Sequence, residues 1–326
     1  MTLRWVRGDS HPFLCVLPHS VVGFVPPDAP TTRVRTRVAW GEGFRNPSQA
    51  ACTRSRNSSG SNHLLRAYPA PSRRNAEPGA GVSGKKSSGT SKNLRGEFTS
   101  LGRQLAEVCL FPSYTKENLR SVVVYDGFEN FEHAYQRGKG VLFLTGHLGG
   151  WELSAFSHSL AGYPLSIVMR SLDNPRVDGL IQSYRTMHGN KTMDKDDFVR
   201  GLLSAMRAGQ TVGILMDTNM TPPQGVFVDF FGIPACTASG LAKIAMRTDA
   251  AVVPGFTVWD RTLRKYRLRF DPAVELVRTG NEEADVVANT AKFTKVIEDY
   301  VRRYPDQWLW VHRRWKTRPE GQTSLY

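Results

Sequence analysis

A histidine that leaves a buried strand on a glycine-rich turn, followed closely by a carboxylate, can move protons. The segment Gly146-His147-Leu148-Gly149-Gly150-Trp151-Glu152 has that form. Its glycines let the backbone turn tightly and approach a substrate. Glu152 falls at the start of the next helical stretch, where its carboxylate would accept an imidazole N–H, fix the tautomer and raise the basicity of the other ring nitrogen. That nitrogen would take the proton of a hydroxyl, a triad-like arrangement in which the nucleophile is the substrate's own alcohol. The same residues equally describe a loop histidine bonded to a helix-capping glutamate, and the pattern alone leaves both readings open. Two more polar residues close apolar runs: Arg170 ends SIVMR and Asp217 ends VGILMD. In an open α/β sheet, ligands bind beyond the carboxyl ends of the strands. His147, Arg170 and Asp217 therefore outline one site if their strands are neighbours.

The elements that must position these residues alternate along the chain. Residues 141–146, VLFLTG, form a continuous apolar run of strand length, as suits a strand buried on both faces. Residues 164–170, 211–217, 250–259 and 265–272 also read as strands, and GVFVDFFG follows a loop with two prolines. Helical patterning covers 151–160, 175–188, 195–208, 239–247 and 282–303. Upstream, Leu101, Leu105, Val108 and Cys109 recur at helical spacing, and FENFEHAYQRG is a helix that stops at Gly138. This alternation predicts an α/β fold with a largely parallel central sheet flanked by helices.

The chain has 326 residues, 40% of them hydrophobic and 22% charged, with a formal net charge of +14. Such a charge points to an anionic partner, but it is concentrated. Residues 1–95 carry 15 Lys and Arg against 4 Asp and Glu, a net of +11, and the remainder nets +3. A nearly neutral folded part, without any zinc-finger or RRM motif, argues against a nucleic-acid-binding protein. Residues 12–26 are the most apolar part of the amino-terminal region, and 27–92, rich in Arg, Ser, Pro, Gly and Asn, show no periodicity. Residues 1–92 thus read as a disordered or irregular basic segment and residues 93–326 as the catalytic domain. Cys15, Cys52, Cys109 and Cys236 form no CxxC pair, which leaves a zinc or thiol-redox motif unsupported; Cys109 and Cys236 read as small buried hydrophobes. No run of about 18 apolar residues occurs, so no transmembrane helix is predicted.

Four blocks in fixed order carry a resemblance: GVLFLTGHLGGWE, RSLDNPRVDGLIQSYR, GVFVDFFGIPACTASGLAKIAMRTDAAVVP and YPDQWLWVHRRWKTRP. Over roughly residues 93–319 the chain resembles the bacterial lipid A biosynthesis acyltransferases, within the lysophospholipid acyltransferase superfamily. The resemblance implies His147 as general base with Glu152 as its partner. It implies that Arg170 and Asn174 bind the acceptor or stabilise charge. Arg185 belongs either to that site or to a solvated helix face. Asp217 matches the acid that opens an Asp-Gln-Asp-like segment, but this chain reads Asp217-Thr218-Asn219, so a role for two carboxylates, and a metal site, lose support. Phe231 and Gly232 border the acyl or acceptor pocket in this reading, with core packing as the alternative. Thr237 precedes a helix start that would hold an anionic head-group, or lies near its N-cap. His312 is taken as structural, because no carboxylate is spaced to partner it. Arg313, Arg314 and Lys316 beside Trp308, Trp310 and Trp315 suit a membrane interface or an acidic carrier.

The implied reaction moves a fatty acyl chain from acyl carrier protein, or acyl-CoA, to a hydroxyl of a lipid A precursor or related glycolipid, without organic cofactor or catalytic metal. A lysophospholipid, mannosyl lipid or amino-acid lipid is the alternative acceptor. The resemblance also implies peripheral or anchored attachment to the cytoplasmic face of the bacterial inner membrane. Relatives of this type begin with an apolar anchoring segment. Residues 1 to about 92 are expected not to be that native start but an out-of-frame reading of GC-rich DNA, the alternative being a genuine basic tail for anionic lipid.

Overall fold

The apolar run Val141-Leu142-Phe143-Leu144 divides its side chains between two cores, Leu142 and Leu144 to one, Val141 and Phe143 to the other. A strand buried in this way needs a layer on each face, and the computed structural model has both. The structure describes residues 4–8, 11–17, 20–23 and 88–326, apart from 170, 172 and 195–197. The chain divides into two units, Met1–Leu65 and Arg66–Tyr326.

In the first unit β1 (Arg4–Gly8), β2 (His11–Leu17) and β3 (Ser20–Gly23) form an antiparallel sheet. Sequence reading marked the apolar stretch but placed no strand in it. The expectation for residues 27–87 lies outside the described residues.

The second unit begins with α1 (Ser88–Leu110), α2 (Lys116–Leu119), β4 (Val123–Asp126), α3 (Phe128–Gln136), β5 (Val141–Thr145) and α4 (Trp151–Leu160). It continues through β6 (Leu165–Met169), α5 (Pro175–Thr186), β7 (Lys191–Asp194), α6 (Phe198–Arg207) and β8 (Thr211–Leu215). Then come the hairpin β9 (Gly225–Phe230) and β10 (Ile233–Ala238), α7 (Gly240–Thr248), β11 (Ala251–Asp260), β12 (Lys265–Phe270) and α8 (Glu282–Arg303). Seven strands make one sheet in the order β4-β12-β11-β5-β8-β6-β7, parallel at every pairing except β11 with β12. The α/β fold with a largely parallel sheet is as expected. Residues from α6, α7 and α8 fill the core on one face, and residues from α1, α3 and α4 the core on the other. β5, β8 and β6 are adjacent, which is the condition for His147 and Asp217 to share a site.

The helix α1 departs from expectation in its facing. Leu105 and Cys109, predicted on the packed side, are exposed, and the buried side is Glu97, Ser100, Gln104 and Val108. The polar face is buried because it meets a loop that needs a partner: Glu97 Oε1 accepts the backbone N–H of Val311 at 3.1 Å. Burial outweighs the backbone hydrogen bonds from Val311 and Trp310 and pushes the Glu97 carboxyl up to about 7.

Candidate active site

The turn past β5 brings the backbone close to its neighbours at two glycines. At Gly146 a Cβ would stand 3.0 Å from the Asp217 carboxyl group. At Gly149, with φ +62°, a Cβ would run into the carbonyl of Thr257. Other bonds fasten the turn. Gly149 donates to Gln307 at 2.9 Å and Gly150 to Thr257 at 2.8 Å, and the carbonyl of His147 accepts the N–H of Leu309 at 3.1 Å. His147 is thereby held between the edge of β5 and the segment that follows α8.

Asp217, two residues past β8, lies under this turn. Its Oδ1 is 2.8 Å from His147 Nδ1, and its Oδ2 accepts the His147 backbone N–H at 2.7 Å and the Trp308 indole N–H at 2.8 Å. The Asp217 side chain is 2% exposed and that of His147 25%, so the acid is sealed and the imidazole is open. Burial works against the Asp217 anion, but the charge of His147 and hydrogen bonds from its ring, the Trp308 indole and the His147 backbone outweigh it, holding the carboxyl at about 2. For His147, burial disfavours the cation; the charge and hydrogen bond of Asp217, with a smaller pull from Glu152, prevail over it and over Arg185, so its pKa is raised. An ionised Asp217 can only accept, so Nδ1 donates to it and Nε2 is left as the basic nitrogen.

This corrects the partner expected from the sequence. Glu152, in the first turn of α4, does not take the imidazole N–H. It faces the last turn of α5, where Arg185 donates Nε to Oε2 at 2.9 Å and Nη2 to Oε1 at 2.5 Å. A guanidinium fork saturates a carboxylate in this geometry. Arg185 is therefore mostly buried in an ion pair with Glu152, whose charge in turn raises the His147 pKa.

The other expected residues separate. Arg170 lies outside the described residues. Asn174 caps α5, its side-chain oxygen accepting from Arg176 at 3.0 Å and Val177 at 3.4 Å. Phe231 and Gly232, both at positive φ, form the turn of the β9–β10 hairpin. Phe231 is buried, donates its N–H to Glu298 at 2.7 Å and lies under the Arg302 guanidinium, 4.5 Å from the ring centre. Thr237 is a buried residue of β10, with Ser239 as the α7 N-cap, and its hydroxyl accepts from Arg314 Nη2. No hydrogen bond joins Asn174, Phe231, Gly232 or Thr237 to His147.

The aromatic and basic carboxyl-terminal block is likewise not the surface patch its composition implied. Trp308, Arg314 and Trp315 are buried, and only Arg313 and Lys316 of the basic cluster are exposed. Arg314 donates to the carbonyls of Cys236 at 2.9 Å and Thr218 at 3.3 Å. Asn219 exchanges side-chain and backbone hydrogen bonds with Thr317, both at 2.9 Å, and its own backbone N–H donates to His312 Nε2 at 2.9 Å. Trp308, which bonds Asp217, and the contacts of His312, Arg314 and Asn219 that fasten the loop after Asp217 were not foreseen. Their only signal was that they fall in ordered blocks, since no local spacing links residues about ninety positions apart. Among the described residues no three His, Cys, Asp or Glu side chains converge as a metal site requires, and no helix is long and apolar enough to cross a membrane.

The family model described as bacterial lipid A biosynthesis acyltransferase matches residues 84–317. The lipid A biosynthesis palmitoleoyltransferase of Escherichia coli K12 is 28% identical over 236 residues, 72% of this chain and 75% of that protein. The lauroyltransferase of the same organism is 28% identical over 231 residues, 70% and 73% of the two chains. Its myristoyltransferase is 24% identical over 212 residues, 64% of each.

Proposed function

Because the chain belongs to the bacterial lipid A biosynthesis acyltransferase family, and is therefore an acyltransferase, we propose that it moves a fatty acyl chain from an acyl thioester to a hydroxyl of a lipid A precursor or related glycolipid. The observation that carries the mechanism is the 2.8 Å contact between His147 Nδ1 and a sealed Asp217 carboxylate. It supports Nε2 of His147 as the general base toward the acceptor hydroxyl. The acceptor oxygen attacks the thioester carbonyl, a tetrahedral oxyanion forms and collapses, and the thiolate leaves with the proton held by His147. Asp217 keeps the tautomer and stabilises the imidazolium. The Glu152–Arg185 pair acts electrostatically on the base, and its guanidinium is a candidate to meet an anionic part of donor or acceptor.

Acyl carrier protein is the donor in this reading, with acyl-CoA as the second choice, and the names of the relatives support a medium to long fatty acyl chain. A lipid acceptor requires a lipid surface. The exposed Leu94, Phe98, Leu105 and Leu110 of α1 support peripheral attachment to one, at the cytoplasmic face of the inner membrane in this reading. Lipid mass spectrometry tests the function. A strain lacking the gene should lose one acyl chain from its glycolipid, regain it with the wild-type gene, and not regain it with His147→Ala. Unchanged lipids in the deletion strain would remove the reading.

A further inference from the structure

His312 lies in the segment that closes against the site, and the mechanism above does not use it. Its Nε2 accepts the backbone N–H of Asn219 at 2.9 Å. A ring nitrogen that accepts bears no proton, so the neutral ring carries its proton on Nδ1. Among the described residues that N–H has no acceptor, and the side chain is only partly buried. The backbone defines where the donor stands. His312 donates its own N–H to the carbonyl of Leu309 at 3.2 Å, and Leu309 donates to the carbonyl of His147 at 3.1 Å. Asn219 follows Asp217 by two residues. One ring is therefore tied to both strand ends that carry the base and its partner. Burial lowers the His312 pKa against the pull of Asp217, and the neighbouring His147 and Arg314 lower it further, so the ring stays neutral and keeps its donor while His147 cycles. Neutral imidazoles act as electrophiles in this way.

Resting on the reading of His147 as base, we propose that the Nδ1–H of His312 donates to the thioester carbonyl oxygen as it becomes an oxyanion. When Nε2 of His147 removes the hydroxyl proton, the acceptor oxygen bonds to the carbonyl carbon and the π pair moves onto the carbonyl oxygen, facing His312. On collapse the pair returns, the C–S bond breaks, and the thiolate takes the proton from His147. His312 keeps its proton throughout.

Two isosteres separate this role from a merely structural one. In His312→Gln the amide oxygen reaches the place of Nε2 and can accept from Asn219, but nothing stands at Nδ1. In His312→Asn the amide nitrogen stands at Nδ1 and can donate, but the Asn219 N–H loses its acceptor. The assay is transfer from purified acyl carrier protein thioester to glycolipid in mixed micelles, with melting curves for each variant. The glutamine variant is expected to melt like wild type and to lose about 100-fold in kcat with KM for the thioester unchanged. The asparagine variant is expected to melt lower yet retain kcat within about tenfold of wild type. The reverse order, a glutamine variant with wild-type kcat, or a loss confined to KM, would overturn the proposal. His147→Ala in the same assay tests the parent reading separately, since activity there removes the base whatever His312 does.

Discussion

Replacing Asp217 with asparagine changes one atom and should reverse the polarity of the site. Oδ2 accepts two hydrogen bonds whose donors cannot turn around, the His147 backbone N–H at 2.7 Å and the Trp308 indole N–H at 2.8 Å. The amide oxygen of the variant must take that position, which puts its NH2 group against His147 Nδ1. The imidazole then accepts at Nδ1, carries its proton on Nε2, and has no basic nitrogen facing the hydroxyl. A carboxylate held at about 2, against its ordinary 3.8, has nearly two pH units of preference for its charged form, or about 2–3 kcal/mol. That interaction goes with the charge. The wrong tautomer lowers kcat by about 10³–10⁴, by analogy with the triad in which the same change has been made.

The pH dependence follows with a definite sign. A base works deprotonated, and the His147 pKa is raised from 6.5, so the acid limb of the wild-type kcat profile lies above pH 6.5. Without Asp217, burial dominates, the paired Glu152 and Arg185 pull in opposite directions, and the limb of the residual activity moves down. For stability, the His147 contribution is complete below pH 6.5 and fades as pH rises through its raised value; that of Asp217 is complete above 3.8 and fades as pH falls through about 2. The stability difference between wild type and variant is therefore greatest between pH 4 and 6.5. Single-turnover transfer measured across pH, with chemical denaturation at each pH, reads both effects. A variant with kcat within tenfold of wild type and an unmoved acid limb would refute the assignment of Asp217.

His147→Ala should abolish turnover with little change in melting temperature, because the side chain is partly exposed at a strand end and leaves no large cavity; thermal melts and a discontinuous transfer assay decide it. Glu152→Gln should lower kcat by about tenfold, less than Asp217→Asn, since the Arg185 fork weakens while the His147 tautomer survives; a larger loss than in Asp217→Asn would return Glu152 to the role the sequence gave it. Gly149→Ala should destabilise the protein by about 2 kcal/mol or more and slow transfer, as the methyl group strikes the Thr257 carbonyl at a positive φ; denaturation of the purified variant tests this.

The sheet, its flanking helices and the two residues that make the central contact were legible in the sequence, because each strand that matters is a buried apolar run with a polar residue at its end. His147 and Asp217 are close for the reason that β5 and β8 pair in parallel. The partner was misassigned because proximity along the chain was taken for proximity in space. The turn at Gly149 and the phase of α4 carry Glu152 to Arg185, and a carboxylate seventy residues away in sequence takes the ring nitrogen. Trp308 was opaque for the same reason, since no periodicity connects it to Asp217. The facing of α1 was misread from the assumption that apolar spacing marks the packed side; here the polar side meets the loop around Val311. The four-residue strands β4 and β7 offer too little pattern to be seen alone.

The segment that fastens the site is synthesised well after the residues it holds. When a ribosome has completed β8, β5 is available to pair with it, yet Asp217 must wait for an indole ninety-one residues further on, and the His147 carbonyl for Leu309. The base gains its full orientation only after α8 has emerged and its following loop has folded back. The orientation of His147 is thus set by a long-range contact and not by its neighbours in sequence.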